Sequence, residues 1–383
     1  METRIDHPSS PTVSKIVATL AERIQSGRYQ EGKWFPTERE LEEEFAVSRT
    51  LIRQAVEVLE QRRLVLRSPR CRTIVQNPNR AHPLPPETAR RTLGLWIWPD
   101  PTHPVGAMVV RGIYKALDHR AYRLVAGHPV GEDWAAIHQS EAHFLEGIAQ
   151  DRDVVGVLLW YMGGPVNLPA LQTVRAAGIP MIFLDRRPPE GFPADYVGVD
   201  NVHAAEQVVT HLIDQGHRRI AHITNWDEVS TVAERLTGYR RALQAANIPF
   251  QPELVMTEVQ PSPDHPDDAD AELAERLLSV PDPPTAVFVV NDILALRLVS
   301  ALRTRGVNVP EGMAVAGFDG IERWLPGDRF LTTADQPFER IGSRSVDLLL
   351  HQIEAKENQP YKHIELDAPL SIHASTRPSS RLE

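Results

Sequence analysis

Arg49 and Arg53 stand four residues apart in "VSRTLIRQ", with Ser48, Thr50 and Gln54 around them. On a helix that spacing places both guanidiniums on one face. A guanidinium can pair bidentately with a guanine edge or a phosphate, so two on one exposed face could grip and read a polyanion. The surrounding stretch sorts its charges. Glu40, Glu42, Glu43 and Glu44 fall in one short run, and Arg49, Arg53, Arg62 and Arg63 follow. Residues 47–75 hold seven arginines against two glutamates, in a chain of 383 residues with a net charge of −10. A basic patch on an acidic protein fits one anionic partner docked at one place, and it also fits a merely solvated basic face. A second set of polar residues, Asp100, Asp185, Asn291 and Asp319, closes four short apolar runs. Side chains of this kind can hydrogen-bond the hydroxyls of a small ligand.

The elements that must position the arginines are legible in the spacing. Val13, Ile16, Val17, Leu20 and Ile24 predict a helix that stops near Gly27. Thr37 and Glu40 form a capping box for a second helix, with Leu41 and Phe45 on its buried face. Ser48 is placed to cap a third, whose apolar stripe is Ile52, Ala55, Val56 and Leu59. The runs 64–67 and 71–75, joined by "SPR", predict a small hairpin. Three helices and a hairpin within residues 13–78 make an α+β winged helix-turn-helix. The glutamates sit on the supporting helix, where its dipole favours them. The arginines sit on the next helix and the wing, the elements that would face the major groove of DNA. Residues 1–12 read as a flexible arm and 79–92 as a proline-stiffened linker.

From Leu93 onward the pattern changes. "LGLWIW", "YRLVAGHP", "VVGVLLWY", "PMIFLD", "RIAHIT", "LVMTEVQ", "AVFVVND" and "AVAGFD" are short apolar runs separated by helix-length segments. Strands alternating with helices predict parallel α/β layers, and this length predicts two sheets. Ligands bind open α/β sheets at the carboxyl ends of strands, where Asp100, Asp185, Asn291 and Asp319 fall. Trp98, Trp160 and Tyr161 fall near the same ends, where a flat ring could lie against a sugar, although core or hinge packing uses the same residues.

Other features narrow the function classes. No apolar run of about 18 residues predicts a membrane span, and the first residues lack the apolar core of a secretory signal. The single cysteine, Cys71, suits a reducing cytoplasm. No Gly-rich phosphate loop or nucleophile elbow is evident, so neither an enzyme nor a cofactor is expected. His138 and His143, five apart with no completing acid or cysteine, do not suggest zinc. Residues 263–272 read as a helix start with solvated acids rather than a calcium site, and Asp200–Asn201 as the cap of a helix near Val202.

The winged helix resembles the GntR type, carried by "FPTEREL" and "VSRTLIR". Residues 93–378 resemble the effector domain of the LacI/GalR regulators, itself similar to periplasmic sugar-binding proteins. That likeness is carried by "YVGVDNVHAAEQVVTHLIDQGHRRIAHIT", "ERLTGYRRALQAANIP", "PTAVFVVNDILALRLVSALRTRGVNVPEGMAVAGFDGIE" and "LTTADQPFERIGSRSVDLLL". The combination is similar to the arabinose repressor group. The resemblance implies a type I periplasmic-binding-protein-like fold of two α/β subdomains. It implies DNA contacts from Arg39, Ser48, Arg49, Thr50 and Arg53, and a ligand-anchoring role for Arg235. Asp185, Asn291, Asp319 and Gln336 match other cleft positions, and Thr231 adds a contact. The wing departs from the family's Gly-x-Gly-Thr tip, with Pro69 where a glycine is usual, so Arg70 or Arg72 would replace the backbone contact. Asp319–Gly320 stands where the family often has two acids, and "SIHAST" where it has Arg-Glu-Ser.

Together these features predict a ligand-responsive DNA-binding transcription regulator, a repressor of sugar uptake or catabolism genes. It would act as a bacterial cytoplasmic homodimer, nucleoid-associated when bound to double-stranded operator DNA. A mono- or oligosaccharide or a derivative would bind between the subdomains. A non-sugar ligand, or one that acts as corepressor or coactivator, is the alternative.

Overall fold

The computed structural model describes residues 13–29, 33–61, 64–66, 73–75, 91–98, 104–119, 121–131, 133–225, 229–259, 268–355 and 360–377. Two compact units are present, residues 1–88 and residues 89–383.

In the first unit, helices α1 (Val13–Gln25), α2 (Glu38–Phe45) and α3 (Arg49–Gln61) precede strands β1 (Val65–Leu66) and β2 (Ile74–Val75). The Thr37 hydroxyl accepts from the Glu40 amide, and the Glu40 carboxylate accepts from the Thr37 amide at 2.7 Å, so the capping box forms as the spacing predicts. The stripe Ile52, Ala55, Val56 and Leu59 packs against Ile16, Leu20 and Ile24. Each large side chain buried there contributes about 1.5–3 kcal/mol of transfer free energy. Strands β1 and β2 pair antiparallel, with Val65 opposite Val75. Lys33 to Phe35 add a further extended segment to this hairpin: the Phe35 amide donates to the Thr73 carbonyl, and the Val75 amide to that of Lys33. That strand-like segment is not visible in the periodicity.

The second unit holds two six-stranded sheets. One has the order β13 (His363–Leu366), β7 (Asp195–Val199), β6 (Met181–Leu184), β5 (Val154–Leu159), β3 (Arg91–Trp96), β4 (Tyr122–Gly127), with every pair parallel. The other has the order β14 (Leu370–Ser371), β12 (Thr332–Asp335), β11 (Ala314–Asp319), β10 (Ala286–Val289), β8 (Ile220–Thr224), β9 (Val255–Thr257). Here only β14 runs antiparallel to its neighbour. All eight apolar runs become strands. Arg91 and Thr92, expected to end the linker, already belong to β3, where Thr92 is buried and bonded to the Asp153 carbonyl.

Helices α4 (Pro104–Ala116), α5 (Trp134–Gln150), α6 (Leu168–Ala176) and α11 (Phe338–Glu354) serve the first sheet. Helices α7 (Asn201–Asp214), α8 (Ser230–Ala245), α9 (Asp268–Leu278) and α10 (Asp292–Thr304) serve the second. The chain therefore passes between the lobes three times: after β7, after β12 and after β13. Helix α11 crosses back to cover β5, β6 and β7 and packs tightly along α4. Gly112 and Gly342 permit that approach, since a Cβ on Gly112 would stand 2.0 Å from the Glu339 carbonyl oxygen and one on Gly342 2.2 Å from that of Val109. The tail also locks onto the second lobe. Ser375 donates to the Val315 carbonyl, and the hydroxyls of Thr376 and Thr332 meet at 2.8 Å.

Candidate functional sites

In the first unit, Arg39, Ser48, Arg49, Thr50 and Arg53 are all exposed. Ser48 sits directly before α3, and its carbonyl accepts from the amides of Leu51 and Ile52. Arg49 and Arg53 project from the first turns of α3 and converge on one carboxylate. The Glu38 Oε2 atom lies 3.0 Å from Arg49 Nε and 3.5 Å from Arg53 Nη2, and Glu42 approaches Arg49 at 3.9 Å. Arg39 pairs with Glu43 one turn on, at 3.2 Å. The glutamates thus orient the arginines as well as complementing the helix dipole, a role that charge counting does not reveal. Arg70 and Arg72 lie outside the described residues, as do Pro69 and Cys71.

In the second unit, the carboxyl ends of the strands in both lobes open onto one cavity of about 320 Å³. Trp98, Trp160, Asp185, Thr231, Arg235, Asn291, Asp319 and Gln336 all line it, drawn from both lobes and the β12–α11 crossing. Asp100 lies outside the described residues. Tyr161 faces elsewhere. Successive side chains of an extended segment point to opposite sides. Trp160 therefore turns to the cavity, whereas Tyr161 enters the core edge-on to Phe183 and donates to the Gly164 carbonyl. Burial pushes its phenol up, as suits a group held neutral in the core.

Arg235 is the hub. Its Nε donates to Asn201 Oδ1 at 3.1 Å, its Nη1 to the Val290 carbonyl at 2.6 Å, and its Nη2 stands 3.4 Å from Asp319 Oδ1. Its guanidinium lies 3.8 Å from the centre of the Phe318 ring. Asp319 Oδ1 also accepts from Gln336 Nε2 at 2.8 Å. Behind this row, Asn201 donates to Glu234 Oε2 at 2.9 Å, and Glu234 pairs with Arg187. Asp200 caps α7, as expected, by accepting from the His203 amide. Asn201, read with it as a cap, instead holds Arg235.

Two cavity acids have unusual backbones. Asp185 has φ +60 and Asp319 φ +119, both in the region that favours glycine. Strain at non-glycine residues persists where the surroundings enforce it, typically at binding sites. Buried Asp292 enforces the turn after Asp319, accepting the amides of Gly320 and Ile321 at 2.7 and 2.9 Å and the Thr333 hydroxyl at 2.7 Å. Burial raises the Asp185 carboxyl to about 6, against the pull of Arg235 and Arg186. Asn291 caps α10 through the Leu294 amide and also reaches the cavity.

Sequence reasoning missed several wall residues: Trp134 and Ile137 on α5, Met162 after β5, and Arg186 and Asn225. It also missed their brace. Glu141 of α5 is fully buried and accepts from the Met162 amide at 2.7 Å and from Asn167 Nδ2 at 2.9 Å. Burial raises its carboxyl to about 7. A second cavity of about 260 Å³ shares Trp134 and Met162. Among the described residues, no group of three or more His, Cys, Asp or Glu side chains could hold a metal ion, and no helix is long and apolar enough to cross a membrane.

Comparison with known proteins agrees with this architecture. Residues 12–75 match the model of the gntR family of bacterial regulatory proteins, and residues 209–376 that of the periplasmic binding protein-like domain. Over 283 residues, 74% of this chain and 79% of the relative, the sequence is 31% identical to the HTH-type transcriptional repressor CytR of Escherichia coli (strain K12). It is 30% identical to PurR of Aliivibrio fischeri (strain MJ11) over 273 residues, 70% of this chain and 76% of that protein. The transcriptional regulator CelR in its cellobiose complex superposes with a TM-score of 0.60 at 26% identity, covering 95% of this chain and 99% of that one. A LacI family regulator from Enterococcus faecium with bound ribose gives 0.62 at 26% identity, over 75% of this chain and 99% of its own.

Proposed function

The chain belongs to the HTH-type transcription repressors that carry a periplasmic-binding-protein-like domain, here with a GntR-type head, and from that membership we propose that it is a sugar-responsive repressor acting as a cytoplasmic homodimer. The observation that carries the sugar reading is the cavity around Arg235, where buried polar groups from both lobes face Trp98, Trp134 and Trp160. Hydroxyls suit the polar groups, and the apolar face of a sugar ring suits the indoles. Two relatives of known structure hold cellobiose and ribose, which supports the same reading. In this reading the cavity is a binding site, with Arg235, Asp319 and Gln336 holding one another in place.

In the head, Arg49 and Arg53 read bases, with Arg39, Ser48 and Thr50 on the backbone and flanking edges. A two-fold dimer presents two heads to a two-fold operator. The sugar acts through its different affinity for the two arrangements of the lobes, a coupling of about 1–3 kcal/mol in typical cases.

The test uses the full chain and a duplex selected from a randomised pool, followed by fluorescence anisotropy. Mono- and disaccharides are added one at a time. One sugar should change operator affinity and raise the thermal midpoint in proportion to its concentration. If no sugar moved either quantity, the sugar reading would fall while the DNA-binding reading stood.

A further inference from the structure

Arg187 stands two residues after Asp185, on the first-lobe loop between β6 and β7, and is not among the described residues that line the cavity. It reaches across to the second lobe instead. Its amide donates to the Ser230 hydroxyl at 2.8 Å and its Nε to Glu234 Oε1, both in the first turns of α8. Its Nη2 turns back to Glu365 on β13, and the guanidinium lies 4.7 Å from the centre of the Tyr196 ring on β7. A guanidinium presents its donors in a rigid fork, so one side chain can hold a carboxylate from each lobe at once. A lysine ammonium lacks that geometry.

The second oxygen of Glu234 carries the row onward. Its Oε2 accepts from Asn201 Nδ2 at 2.9 Å, and Asn201 Oδ1 accepts from Arg235 Nε at 3.1 Å. The Asn201 amide has one orientation here, because a flipped amide would set its oxygen against the carboxylate and its NH2 against the guanidinium. Arg235 pairs with Asp319, and Asp319 accepts from Gln336. The connected row touches every passage between the lobes. Glu365 lies on β13 just before one, Asn201 opens α7 just after another, and Gln336 stands within the third. Asn201 and Gln336 are each 1% exposed. Burial pushes the Glu234 carboxyl up, against the pull of Arg187 and Asn201. Loss of Arg187 would therefore leave a poorly solvated charge and disturb the pairing of buried groups, a consequence that an exposed ion pair does not have.

We infer that Arg187 is a positioning residue: by holding Glu234 from the first lobe it fixes Asn201, and through Asn201 the Arg235 guanidinium, without itself touching the effector. The inference rests on the reading of Arg235 as the effector anchor and adds to it a residue outside the cavity. Arg187 and Glu234 belong to different lobes, so the orientation of the anchor depends on how the lobes are placed. If the lobes part at this point, Glu234 loses the cation that offsets it, and Asn201 and Arg235 lose a fixed neighbour in turn.

The experiment uses the full chain as wild type, Arg187→Gln, Glu234→Gln and the double variant, with circular dichroism confirming the fold of each. Amide hydrogen exchange is read first, without any ligand. In Arg187→Gln it should quicken around Asn201 and Gln336 as well as beside Arg187, and stay as in wild type in the head. Ribose, glucose and cellobiose are then titrated by calorimetry. A sugar that binds wild type should bind Arg187→Gln about 2- to 30-fold more weakly. The double variant should bind it no more weakly than the worse single variant, because both substitutions break one row. Faster exchange confined to the residues beside Arg187 overturns the inference, since the contact would then be an ordinary ion pair. So do losses of affinity that add in the double variant. Failure of all three sugars with wild type counts against the sugar reading alone, and the exchange pattern still decides whether Arg187 holds the row.

Discussion

Arg235 and Asp319 form an ion pair at 3.4 Å with side chains only 6% and 7% exposed, deep in the cavity where the two lobes meet. A buried pair is weak evidence of net stabilisation, but breaking it from one side strands the other charge. Arg235→Ala should therefore abolish the effector response and lower stability by about 3–5 kcal/mol. Chemical denaturation and ligand titration check the two parts separately. A variant that still bound effector normally would remove Arg235 as the anchor.

Arg49→Ala should weaken operator binding by about 1–3 kcal/mol and relax base preference at one position. The readout is anisotropy against the selected duplex and single-base variants of it. Operator binding that persisted unchanged would undo the recognition-helix assignment.

Glu38 makes a separate prediction. It ties Arg49 and Arg53 together on an exposed surface, where such pairs contribute about 0–1 kcal/mol to stability. Glu38→Gln should leave the melting midpoint almost unchanged. It should raise affinity for random-sequence DNA, because a carboxylate near the phosphates is lost, and lower the ratio of specific to non-specific binding. A ratio equal to wild type would show that the carboxylate does not orient the two arginines.

Glu141 gives a pH dependence. Burial raises its folded value to about 7, above the ordinary carboxylate range. The folded protein then holds a proton that the unfolded chain has released. The group's contribution to stability is present below the ordinary carboxylate value and is lost as pH rises towards 7. Wild type should therefore lose stability relative to Glu141→Gln between pH 5 and about 8. Parallel denaturation series at each pH measure the difference, and a difference that did not change with pH would contradict it.

Thr37→Ala removes the hydroxyl of the capping box and should cost about 0.5–2 kcal/mol of stability in the first unit. Thermal melting followed by helical circular dichroism measures it. The residue lies on the loop into α2, so effector affinity should stay as it was.

Much of this was legible from local pattern. Eight apolar runs marked eight strands of the two large sheets but not β7, β12, β13 or β14, the 3.6-residue stripes marked the helices of the head, and Thr37 with Glu40 marked a helix start. The acids at strand ends were found because topology brings strand termini together. What sequence could not show was how residues far apart in the chain meet. Asn201 reads locally as part of a cap, and only the packing of α7 on α8 turns it towards Arg235. Trp134 and Glu141 lie on α5, which packs on α6 and β3, and only that packing decides which of its faces meets the cavity. Tyr161 and Trp160 are indistinguishable by composition, and one step of extended backbone decides between core and cavity.

The three passages between the lobes also govern the order in which the protein can complete itself. The first sheet to leave the ribosome lacks both its edge strand β13 and its covering helix α11 until residues 338–366 have been made. Its apolar surface over β5, β6 and β7 must wait through the synthesis of nearly the whole second lobe. Contacts closed over such long stretches of chain form slowly and leave intermediates prone to misassembly. The second lobe, whose main strands β8 to β12 are nearly continuous in sequence, can fold around its own core first and receive the returning chain as a template.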